Sequence, residues 1–208
     1  MNSIYDTVIL TLQSGGIILL LLLILLAWAT WIIVLKIREL RTKAVINSDF
    51  VGSIEQLLFD KNLPEATELC RRETTPMNRI ILAGILNYDR SENELKEVLE
   101  EAGRQEVPGI RRHLTSLGTI AGVSPLLGLL GTVLGMISVF STLSQGNQIS
   151  ASDLAGGISQ ALVTTACGLV VAMPCLVFYN SLNVRAGNLI VEMEKVSLHM
   201  VAVLKRLR

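Results

Sequence analysis

The sequence predicts an all-α integral membrane protein with three long transmembrane helices and helical extensions into the cytoplasm. Half of its 208 residues are apolar and only 17% are charged, against about 25% in an ordinary soluble domain. No charged residue occurs from Thr7 to Leu35, and from Leu114 to Val184 the single one is Asp153. All 18 Lys and Arg fall in two stretches, Lys36 to Arg112 and Arg185 to Arg208. Hydrocarbon holds no water to solvate a charge, so long uncharged runs bounded by basic residues fit a bilayer. The formal charge balances to zero, which gives no field directed at nucleic acid.

Each element follows from its residues. In segment 1–14, Ile4, Val8, Ile9 and Leu12 share a helical face, the pattern of a short amphipathic helix on the outer leaflet. The first span is 15–35, which at about 1.5 Å per residue reaches the roughly 30 Å of hydrocarbon. No Lys or Arg precedes it, and apolar sequence continues past Trp28 and Trp31. Both features oppose a cleaved signal peptide and predict a retained helix.

Residues 36–115 form a charged helical region. Pro64 suits a first-turn position behind Asn62 or Leu63, Thr75-Pro76 marks a break, and Ser91 with Glu94 forms a capping box. Pro108-Gly109 is expected to bend the approach to the second span. This region has no flexible linker and is expected to continue the membrane helices rather than fold as a separate bundle. Spans two and three cover 116–143 and 154–180, joined by the polar loop 144–153, and 181–208 forms a C-terminal helix. The basic residues place the N-terminus outside and the C-terminus in the cytoplasm.

The chemistry is defined first by what is missing. The sequence contains no phosphate-binding loop, zinc-protease helix or nucleophile elbow. Cys70, Cys167 and Cys175 lack metal-ligand spacing, and His113 and His199 are far apart. No cofactor, metal or catalytic residue is expected, and the chain is not read as an enzyme. The three spans hold no Asp, Glu, Lys, Arg or His. Membrane proteins that carry protons normally hold an ionisable group in the bilayer. Here such a group would have to come from another subunit or from water.

Small and hydroxyl-bearing residues recur in steps of four and three. The second span gives Ala121, Pro125, Gly128, Thr132, Gly135, Val139 and Thr142; the third gives Ile158, Ala161, Thr165, Gly168, Ala172, Cys175 and Tyr179. Gly128, Gly131, Gly135 and Gly168 are expected to let helix backbones approach closely. Thr132 and Thr165 have two readings: bonding a carbonyl one turn back, or lining a hydrated path. Gln160 is either an inter-helix hydrogen bond or a pore-lining group. Pro125 and Pro174 are expected to kink their spans.

Two segments carry a resemblance to a known family. SPLLGLLGTVLGM, from Ser124 to Met136, and GISQALVTTACGL, from Gly157 to Leu169, followed by Ala172-Met173-Pro174, are similar to the signatures of the ExbB/TolQ/MotA proton-channel family. The likeness is strongest over 114–184, and the three-span layout is closest to ExbB and TolQ. It implies a homopentamer whose second and third helices surround a pore. A dimeric ExbD- or TolR-like partner would sit inside and supply an intramembrane Asp. It also implies that Thr132 and Thr165 line the path beside that Asp, and that a TonB- or TolA-like protein receives the work. ExbB-type members commonly carry Glu where this chain has Gln160, so no titrating role is carried over to that position. The expected function is the pore subunit of a motor driven by proton-motive force in a bacterial inner membrane. Tol-type, gliding or secretion motors are alternatives, as is a non-conducting scaffold.

Overall fold

The computed structural model describes residues 16–41, 45–73, 75–144 and 151–206. The amphipathic segment at 1–14 and most of the 144–153 loop lie outside the described residues. Among those described, the secondary structure is seven helices: α1 Gly16–Glu39, α2 Ser48–Phe59, α3 Leu63–Arg72, α4 Pro76–Ile85, α5 Glu92–Arg111, α6 Leu114–Ser144 and α7 Ala151–Lys205. Three helical stretches, within Gly16–Glu39, Glu92–Ser141 and Leu154–Lys205, are long and apolar enough to cross a membrane. The chain divides into two compact units, 1–34 with 113–180 and 35–112 with 181–208.

The first unit holds α1 up to Val34, α6, and α7 up to Asn180. Ile18, Leu22, Ala29 and Ile32 are buried along one face of α1, at the spacing of a helical stripe. Helices α6 and α7 run antiparallel in close contact, with Gly118 against the Tyr179 ring, Gly128 against Thr165 and Gly168, Gly135 against Ala161, and Gly157 against Val139. Both helices continue through their internal prolines, Pro125 and Pro174. The His113 ring lies edge-on to Trp31 with centroids 6.0 Å apart.

The second unit holds α2 to α5 and the end of α7, which runs on from the third span. Helices α2 to α5 pack each on the next, and α7 is unbroken from Ala151 to Lys205. Caps and prolines explain the short elements. Asn62 accepts from the Glu65 amide ahead of Pro64, and Thr75 accepts from the Asn78 amide ahead of Pro76. Ser91 and Glu94 form the reciprocal capping box, with the Ser91 amide donating to Glu94 Oε2 at 2.9 Å. Ile54, Leu58, Met77, Ile80, Ile81, Leu95, Leu99 and Leu204 form the apolar core.

The bend expected at Pro108-Gly109 lies further on. Helix α5 continues through Pro108 to Arg111, and the chain turns at Arg112 and His113, where His113 takes φ 66°. Pro108 removes one amide donor, but the last turn has other support. Lys36, only 1% exposed, points Nζ at the carbonyls of Gly109 (3.4 Å) and Ile110 (3.3 Å) and at Glu39 Oε2 (2.7 Å). An ammonium on the terminal carbonyls of a helix satisfies acceptors that the ladder leaves open.

Candidate ion-path site

The site is built from the α6–α7 seam. Glycine is required where two backbones meet. A Cβ added at Gly168 would lie 2.6 Å from the Ser124 carbonyl oxygen and 3.0 Å from Gly128 Cα; one at Gly128 would lie 3.0 Å from Thr165 Cα. Close approach brings a carbonyl within reach of hydroxyls on the other helix. Thr165 Oγ1 donates to the Gly128 carbonyl at 3.0 Å. Thr164 Oγ1 lies 2.7 Å from the Ala161 carbonyl and 3.4 Å from that of Gly128.

Thr132 is one turn beyond Gly128, so its amide is directed at the same Gly128 carbonyl in the helical ladder. Its hydroxyl turns back to the Leu129 carbonyl at 2.7 Å. Thr132 and Thr165 thus meet around one carbonyl, by amide and by hydroxyl. Both are half-buried within the single chain. A hydroxyl that donates to a backbone oxygen keeps its lone pairs and can rotate to another acceptor. The pair can therefore orient water or stabilise a neighbouring carboxylate without being charged.

Gln160 is not part of that group. It is exposed and lines a groove of about 270 Å³ with Gly16, Ser138, Gly131 and Thr164, between the first turn of α1 and the α6–α7 seam. Five residues from Thr165, it points about 140° away around the helix. Gly131 faces the same groove and leaves the notch that Thr164 fills: a Cβ there would sit 2.3 Å from Thr164 Oγ1. Gly135, whose Cβ would be 2.9 Å from that of Ala161, completes the seam.

Two further residues, Thr164 and Ser124, are buried at the seam. The steps through the seam run Gly128, Gly131, Gly135 and Ala161, Thr164, Gly168, so Thr164 holds the buried position. Ser124, fully buried, donates to the Ile120 carbonyl at 2.7 Å and presents its own carbonyl to Gly168. The adjacent Thr164-Thr165 pair left the phase ambiguous, because either residue satisfies an alternation of three and four.

No group of three or more metal-ligating side chains occurs among the described residues. Outside the spans, burial pushes the Cys70 thiol up to about 12, so it is not a thiolate nucleophile near neutrality.

A profile of the MotA/TolQ/ExbB proton channel family matches residues 72–195. A putative biopolymer transport protein, ExbB-like 3, from Synechocystis sp. is 43% identical over 59% of this chain and 60% of its own length. The Tol-Pal system protein TolQ of Haemophilus influenzae is 38% identical over 41% of this chain and 38% of its own. The biopolymer transport protein ExbB of Neisseria gonorrhoeae is 34% identical over 59% of this chain and 62% of its own. The chain thus spans less than two thirds of each of these relatives.

Proposed function

Because this chain belongs to the MotA/TolQ/ExbB proton channel family, we propose that it is the pore-forming subunit of a proton-driven motor in a bacterial inner membrane. The observation that carries the reading is the Thr165 hydroxyl on the Gly128 carbonyl, one turn from Thr132, in spans that contain no Asp, Glu, Lys, Arg or His. Such spans can border a proton path but cannot supply its titrating group. An ExbD- or TolR-like single-span dimer, held inside a pentamer of this chain, supplies an Asp beside the two threonines. The pentamer, with its N-terminus outside, uses 15–35, 116–143 and 154–180 as spans, and Pro125 and Pro174 kink the second and third.

A proton entering from the outer side neutralises that carboxylate, which then crosses the low-dielectric interface uncharged and releases the proton to the cytoplasm. Each charge moved is worth about 2.3 kcal/mol per 100 mV. Thr165 stabilises the ionised carboxylate by turning its O–H from the Gly128 carbonyl, and Thr132 holds water at the same level. Gln160 lines a mostly apolar groove beside the α6–α7 seam in each protomer. The energy passes to a periplasmic element of the TonB or TolA kind; the ExbB relatives favour biopolymer transport, and the TolQ relative supports a Tol-type role.

The test is proton flux into liposomes containing this chain and its co-encoded single-span partner, beside a downstream energy-dependent transport assay. Thr132→Val, Thr165→Val and a partner lacking its intramembrane Asp should assemble and lose both readouts. Full activity in both assembled threonine variants would leave these helices as a scaffold and sink the proposal.

A further inference from the structure

We propose that Thr164 is a positioning residue for the ion path, acting through Thr165; this rests on the reading of Thr165 as a path-lining hydroxyl. Thr164 is only 3% exposed and has one hydroxyl proton for two acceptors, the carbonyls of Ala161 (2.7 Å) and Gly128 (3.4 Å). Both are carbonyls that Thr165 also uses. Its hydroxyl donates to Gly128 at 3.0 Å, and the helical ladder directs its amide to Ala161, four residues back.

A carbonyl oxygen has two lone pairs. In Gly128 one serves the Thr132 amide through the helix, and the other is open to one hydroxyl at a time. When Thr165 turns its O–H toward a carboxylate on the partner, the buried Gly128 carbonyl loses its second donor. Thr164 replaces it by rotating its O–H from Ala161 to Gly128. Ala161 keeps the Thr165 amide meanwhile, so neither carbonyl is left bare. The exchange keeps the seam satisfied while freeing Thr165 to work. Gly131 makes it possible: any side chain there would occupy the space of the Thr164 hydroxyl, since even a Cβ would be 2.3 Å from it.

The experiment reconstitutes the full chain with its co-encoded partner and measures proton flux for Thr164→Val, Thr164→Ala, Thr164→Ser and Thr165→Val, with assembly checked for each. Loss of one replaceable hydrogen bond predicts a flux decrease of about tenfold in Thr164→Val. Thr164→Ala, which cannot crowd Gly131, should show the same decrease if Thr164→Val fails to assemble. Thr164→Ser keeps the hydroxyl and should restore flux toward wild type. Wild-type flux in the assembled Val or Ala variant overturns the proposal. So does an equal loss in Thr164→Ser, which would mean that the methyl packing mattered and the hydroxyl did not. Full flux in Thr165→Val would instead overturn the path reading on which the proposal stands.

Discussion

Replacing Gly168 by Ala tests whether the α6–α7 seam is held by backbone contact. The new methyl would lie 2.6 Å from the Ser124 carbonyl oxygen and 3.0 Å from Gly128 Cα, and both are backbone atoms that no rotamer can move. Ordinary contact begins near 3.4 Å, so the helices must part by about 0.8 Å there. A gap of that size forfeits a quarter to a half of the dispersion energy for each contact it opens. Overpacking of this kind costs about 1–3 kcal/mol, against a helix-propensity gain of about 1 kcal/mol for removing a glycine.

Gly131→Ala should also destabilise, but its methyl meets the Thr164 side chain, which can be removed. Thr164→Ala added to Gly131→Ala should therefore recover part of the loss, whereas no side-chain change at Ser124 should rescue Gly168→Ala. Gly52→Ala is the control, because a Cβ there meets nothing within 4 Å, and it should be neutral or stabilising. Thermal unfolding of the detergent-solubilised chain ranks the variants. A Gly168→Ala protein as stable as the Gly52→Ala control would refute backbone contact at the seam, and absence of rescue at Gly131 would refute the Thr164 notch.

Two further outcomes are expected in the second unit. Lys36→Met keeps the apolar stem but leaves the Gly109 and Ile110 carbonyls without their ammonium, and should cost about 2 kcal/mol in denaturant unfolding; Glu39→Gln should cost under about 1 kcal/mol, since Glu39 is 52% exposed. Burial raises the Cys70 thiol from 9.0 to about 12, so below pH 9 it is protonated in both folded and unfolded chains and contributes no slope. Above pH 9 the unfolded thiol ionises first, and stability should fall by up to about 1.4 kcal/mol per pH unit until the folded thiol titrates too. Between pH 8, 9.5 and 10.5 the urea midpoint of wild type should fall relative to that of Cys70→Ala; a pH-independent difference would contradict a buried neutral thiol.

The sequence by itself determined the helical class and the three apolar stretches, because solvation of charge is a property of composition along the chain. It also determined the short helix starts, because Asn62, Thr75 and Ser91 each cap the amide three positions on. The packing of α2 to α5 into a bundle was not legible there. Nor was the contact at the end of α5, where Lys36, a residue 73 positions before Gly109, meets the terminal carbonyls. The candidate site divides the same way. Thr132, Thr165 and the glycines could be selected by spacing and by motif. Only the tertiary structure decided that Thr164 rather than Thr165 fills the seam, that both reach the Gly128 carbonyl, and that Gln160 faces another groove. Neighbouring positions on a helix differ by only about 100° in direction, and which of two fits is decided by the partner helix, whose contacts lie more than thirty residues away.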